Sequence, residues 1–123
     1  MGKRVLVVED DRNVRDYLAA AIESSLSDVE VLVASNGREA AERVAAAPVE
    51  LVLTDLNMPE MNGIELVRAL RTSHPAVRVV LMSGASADWL ADLRREGLDE
   101  LPLLTKPVSV SHLVGLVSAL LGD

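Results

Sequence analysis

The sequence predicts an α/β domain, a parallel sheet of five strands with helices on both faces. Three observations lead there. Short β-rich runs alternate strictly with amphipathic segments along the whole chain. The runs are continuously apolar, as strands buried on both faces require. The 123 residues, half apolar and a quarter charged, suit one globular domain with a real core. No linker, repeat or low-complexity stretch divides them, so residues 1–123 are expected to form a single unit.

The first run is Val5 to Val8, and Val14, Tyr17, Leu18, Ala21, Ile22 and Leu26 follow at helical spacing. Asp11 or Asn13 is placed to cap that helix. Val31 to Ala34 is the second run, ended by Ser35-Asn36-Gly37, a turn and helix-start signal. The alanine-rich helix Arg38 to Ala47 is closed by Pro48. Leu51 to Thr54 forms the third strand, and Ile64 to Thr72 the third helix, with Val67 and Leu70 inward and Pro75 beyond its end. Val77 to Met82 is the most β-branched strand. A helix over Asp88 to Arg95 carries Trp89, Leu90 and Leu93 and stops at Gly97. Leu103 to Thr105 makes a short fifth strand, and Ser109 or Ser111 caps a last helix through Leu121.

Composition excludes several functions. With one Trp, one Tyr and no Phe, there is no aromatic platform for stacking bases or a flavin. A net charge of −7 repels phosphate backbones and anionic lipid, which argues against nucleic-acid or membrane-surface binding. Without cysteine there is neither a disulfide framework nor a thiolate metal site. The apolar run in MGKRVLVV is too short for a signal peptide and leads directly into acids, and no stretch reaches spanning length. A cytoplasmic location is expected.

In an open parallel sheet all strands end on one edge, and ligands bind there. After the first strand come Glu9, Asp10 and Asp11; after the third, Asp55; after the fourth, Ser83; after the fifth, Lys106. Each alone has a plain explanation as a cap, a turn or a solvated residue. Together, at four of five strand ends, they describe a site. Glu9, Asp10 and Asp55 with Lys106 leave a charge of −2 in a small cleft. Like charges ~4 Å apart cost ~4 kcal/mol per pair at an effective dielectric near 20. A divalent cation removes that excess, and oxygen-only donors favour a hard ion, Mg²⁺ or Mn²⁺.

The motifs VLVVEDD, LVLTDLNMPEMNG, VVLMSGA and LLTKP, in that order, resemble those of the receiver domain of two-component response regulators, and the resemblance covers the whole chain. It implies a (βα)5 flavodoxin-like fold, doubly wound, with strand order 2-1-3-4-5. It implies that Asp55 takes a phosphoryl group from a phosphohistidine of a sensor histidine kinase or histidine phosphotransfer domain. Asp10 would bind Mg²⁺ directly and Glu9 through water, with Asp55 and the Asn57 carbonyl completing the protein ligands. Ser83 and Lys106 would contact phosphoryl oxygens, a cis peptide before Pro107 would aim the lysine, and Met58, Pro59 and Gly63 match the loop into the third helix. A downstream effector protein or domain would read the result.

Two features depart from the family pattern. Leu103 stands where an aromatic is common, and nine positions rather than the usual seven separate Gly97 from Lys106. That spacing resembles receivers attached to hybrid histidine kinases and suggests a reshaped surface around the fourth helix and fifth strand. His74 and His112 match no phosphotransfer motif and read as surface residues. A phosphatase of the haloacid dehalogenase type would need an acid where Asn57 stands, and a flavodoxin-like cofactor binder would need a Gly/Ser/Thr-rich loop where this chain has carboxylates.

Overall fold

The computed structural model describes residues 2–58, 60–84 and 88–122. Strands β1 (Lys3–Val8), β2 (Val29–Ala34), β3 (Leu51–Asp55), β4 (Arg78–Ser83) and β5 (Leu103–Thr105) alternate with helices α1 (Arg12–Ser25), α2 (Gly37–Ala46), α3 (Gly63–Ser73), α4 (Asp88–Arg95) and α5 (Val110–Leu121). All strand pairings are parallel, in the order β2-β1-β3-β4-β5. This is the doubly wound fold expected from the sequence.

The continuous apolar runs serve two cores at once. Successive strand residues point to opposite faces. Val5, Val7, Leu51, Leu53, Val80 and Met82 pack with Leu18 and Ile22 of α1 and Leu113 and Val117 of α5. Leu6, Val8, Val52, Val79 and Leu81 pack instead with Ala40 and Val44 of α2, Leu66, Val67 and Leu70 of α3, and Leu93 of α4. The edge strands are less covered: β2 is mostly half-buried, and in β5 only Leu104 is buried.

Side-chain caps decide most helix starts. Asp11 caps α1 by accepting from the amides of Asn13 and Val14. Asn36 caps α2, and Ser109 rather than Ser111 caps α5. Asn62 and Glu65 form a capping box on α3, each side chain accepting from the other's backbone. Helix α4 ends as its glycine foretells. Gly97 takes a φ of +72°, its amide donates to the Arg94 carbonyl, and the Leu98 amide reaches the Leu93 carbonyl.

Several boundaries moved. Strands β3 and β4 extend one polar residue past their apolar runs because ladder pairing continues through Asp55 opposite Met82 and Ser83 opposite Thr105. Tyr17, expected on the inner face of α1, is 55% exposed, and Leu90 of α4 also faces solvent. Helical spacing tolerates a position at the margin of the apolar stripe, and these two fall outside it. His74 is half-buried as the C-cap of α3, while His112 is exposed. The long stretch after Gly97 folds back on the core. Leu98 is buried, Leu101 packs beside it, and the Pro102 carbonyl accepts from the Leu81 amide.

Candidate functional site

The order of the strands places the first residues after β1 beside the end of β3, where the direction of winding reverses and a crevice forms. Val8 lies opposite Thr54, so Glu9 and Asp55 emerge side by side. Ser83 ends β4 opposite Thr105, and Lys106 follows at once. The Lys106 amide donates to the Ser83 carbonyl at 2.8 Å, and the Lys106–Pro107 peptide is cis, as the resemblance implied.

Lys106 stands at the centre. Its Nζ donates to Glu9 Oε1 at 2.6 Å and to Asp55 Oδ2 at 2.8 Å. Glu9 is 1% and Asp55 5% exposed, whereas Asp10 faces solvent. Among the described residues, one carboxylate oxygen from each of Glu9, Asp10 and Asp55 lies within 4.8 Å of the other two. This is a group of hard oxygen donors that could hold a metal ion, and its surplus negative charge suits a divalent one.

The remaining lone pairs find local donors. The Asp11 amide donates to Glu9 Oε2 at 3.1 Å, and the Asn57 amide donates to Asp55 Oδ1 at 3.3 Å. Burial pushes the Glu9 carboxyl above its usual range; Lys106 and the Asp11 amide pull it back only in part, and Asp10 and Asp55 raise it further. For Lys106, burial acts to depress the ammonium, but Asp55 and Glu9 together outweigh it and leave it raised. The asymmetry is physical: the lysine gains two anions, while Glu9 shares one cation with Asp55 and is more deeply buried.

Of the residues marked out by the sequence, Glu9, Asp10, Asp55 and Lys106 meet in one cleft. Ser83 reaches the same edge, 5% exposed, but its hydroxyl donates to the Gly84 carbonyl at 2.8 Å rather than to a carboxylate. The Asn57 side chain is exposed and its backbone faces Asp55. Met58 is buried, and the Gly63 amide donates to the Leu56 carbonyl at 3.1 Å; Pro59 lies outside the described residues. Arg15 escaped the sequence reading. It sits one turn into α1 and donates from Nη1 to the Glu9 carbonyl at 3.1 Å, steadying the strand end that presents the acids. The cue was its spacing, four residues after the Asp11 cap.

The model of the response regulator receiver domain family matches residues 5–118. The chain belongs to the response regulator receiver family. Its relatives include the response regulator receiver protein CpdR of Brucella abortus, 34% identical over 122 residues and covering 97% of each chain. Another is the response regulator MprA of Mycolicibacterium vanbaalenii, 32% identical over 123 residues, which are 98% of this chain but 51% of that protein. Among solved structures, a response regulator receiver protein from Pseudomonas putida superposes with a TM-score of 0.84 at 27% identity, covering 97% of this chain and 98% of that one. The receiver thus spans nearly the whole of some relatives and about half of others. Receivers of this family are signalling domains of two-component systems, working between kinases and effectors. Among the described residues no helix is long and apolar enough to cross a membrane.

Proposed function

We propose that Asp55 is the phosphoacceptor of a two-component phosphorelay, taking a phosphoryl group from a phosphohistidine on a sensor histidine kinase or histidine phosphotransfer domain. One observation carries this reading: Lys106 bonds both Glu9 and Asp55 in a cleft that also holds Asp10. A single cation among three carboxylates leaves a surplus of negative charge, which a divalent ion would balance at a phosphoryl-transfer site. Glu9, Asp10, Asp55 and the Asn57 carbonyl are the groups we assign to Mg²⁺, with Mn²⁺ a substitute. When bound, the ion would neutralise charge spread over the phosphoryl oxygens.

A carboxylate oxygen of Asp55 attacks phosphorus. The new O–P bond forms as the P–N bond to the donor imidazole breaks, and that imidazole keeps the electron pair and takes up a proton. Lys106 exchanges its bond to Asp55 for a phosphoryl oxygen. The Ser83 hydroxyl, which donates to the Gly84 carbonyl in this structure, turns to another phosphoryl oxygen. The acyl phosphate then alters which effector the receiver binds. The phosphodonor chemistry belongs to the cytoplasm, and we take residues 1–123 as one receiver unit with a signalling rather than a turnover role.

With Mg²⁺ and acetyl phosphate, intact mass should rise by one phosphoryl group, located at Asp55. EDTA or Asp55→Asn should abolish the gain. Equal labelling of Asp55→Asn would overturn the assignment.

A further inference from the structure

Residues 56–58, after β3, are the near limb of the connection to α3, and residues 60–62 are its far limb, which another helix anchors. Asn36, the cap of α2, uses both ends of its amide. Its Oδ1 accepts from the Glu39 amide at 2.8 Å, and its Nδ2 donates to Glu60 Oε2 at 2.9 Å. Arg38 approaches the other Glu60 oxygen, Oε1, at 3.5 Å. The Gly37 amide donates to the Met61 carbonyl at 3.2 Å. A Cβ on Gly37 would sit 2.4 Å from that carbonyl oxygen, so the helix start and the loop touch backbone to backbone. Glu60 itself has a φ of +67°, a left-handed conformation that residues with a Cβ avoid.

These contacts form a clasp. Its parts lie outside the carboxylate cleft, yet the strained residue it holds is three positions from Asn57, whose amide bonds Asp55 and whose carbonyl completes the metal ligands in the function proposed above. We propose that Asn36 and Glu60 are positioning residues for the metal site: α2 holds the far limb of the loop so that the near limb presents the Asn57 carbonyl towards the cleft. Without the clasp Glu60 relaxes out of the left-handed region, and the Asn57 carbonyl loses its fixed direction. The inference rests on the proposed Mg²⁺ site and concerns residues that touch neither metal nor phosphoryl group.

Asn36→Asp separates capping from clasping. The new carboxylate still accepts from the Glu39 amide, keeping the helix cap, but faces the Glu60 carboxylate with no proton to donate. Its Mg²⁺ affinity, by calorimetric titration, should fall about tenfold, the lower end of what loss of an outer-sphere partner costs at metal sites. Adding Glu60→Gln to Asn36→Asp rebuilds the hydrogen bond with donor and acceptor exchanged, and should recover most of the affinity. Phosphorylation by acetyl phosphate should show the same pattern as a raised Mg²⁺ requirement with little change at saturating metal. If wild type binds Mg²⁺ and Asn36→Asp binds it equally well, or if the double variant fails to recover, the clasp has no positioning role. If wild type binds no Mg²⁺, the metal-site reading fails and this inference with it.

Discussion

Glu9 is almost fully enclosed, yet it lies within reach of two other acids and shares its one cation. Its raised carboxyl has a definite thermodynamic sign. The folded state binds this proton more tightly than the unfolded chain, so Glu9's contribution to stability is greatest at low pH. It falls as pH rises from the ordinary value of 4.5 through the higher folded one. Lys106 works in another window. Its raised ammonium contributes stability fully below 10.5, and that contribution is lost as pH rises through the folded value. In metal-free urea melts, the stability of wild type relative to Glu9→Gln should therefore decline with pH across the first window. The limiting slope is about 1.4 kcal/mol per pH unit, and the difference should then level off. A difference that grows with pH would mean Glu9 ionises more readily in the fold than out of it.

At the scale of elements, two glycines make opposite predictions. Gly63 opens α3 with its α-carbon pressed on the end of β3; an added Cβ would lie 2.6 Å from the Asp55 carbonyl oxygen and 2.9 Å from Leu56 Cα. Backbone cannot yield there as a flexible side chain can, so Gly63→Ala should cost about 2 kcal/mol. Because the same contact sets where Asp55 leaves the strand, the substitution should also slow phosphorylation by acetyl phosphate. Gly115 lies mid-way along α5, exposed, with open space where a Cβ would go. Gly115→Ala should stabilise the receiver by about 0.5–1 kcal/mol, through helix propensity alone. Chemical melts of both variants check the pair, and a neutral Gly63→Ala would show that the β3–α3 junction is looser than its geometry. Leu103, where a ring is common, is 41% exposed on β5.

For the molecule as a whole, the site sets folding against readiness to bind. The acids of the cleft repel one another without metal, and Asp10, exposed beside Glu9 and Asp55, is the one whose charge can be removed without breaking a Lys106 bond. Asp10→Asn should raise metal-free stability at neutral pH by about 0.5 kcal/mol. Mg²⁺ should stabilise wild type by mass action, about 2.7 kcal/mol at a hundredfold excess over Kd, and should do much less for Asp10→Asn. Thermal melts of both proteins in EDTA and in Mg²⁺ test this. A wild-type melt indifferent to Mg²⁺, with Asp10→Asn less stable than wild type, would remove the case for a metal at these acids.

The sequence by itself determined the alternation of strands and helices, their parallel pairing and the strand ends on which the candidate site falls. Those follow from local causes: β-branched runs, helical spacing, and caps such as Asp11 and Asn36 that act within a few residues. It also marked Glu9, Asp10, Asp55 and Lys106, because in a parallel sheet one edge collects every residue that follows a strand. What only the tertiary structure decided depends on groups far apart in the chain. That Lys106 bridges Glu9 and Asp55, that the Ser83 hydroxyl turns to Gly84, and that Arg15 braces the Glu9 carbonyl are matters of ångströms. The exposure of Tyr17 depends on how α1 rolls against the sheet. The Asn36–Glu60 bond spans 24 positions between a helix cap and a loop, and neither residue signals the other in sequence. Periodicity reports which face of an element is apolar. It carries no information on the loop that will lie across the element's end, since that is set only when both have packed on the same sheet.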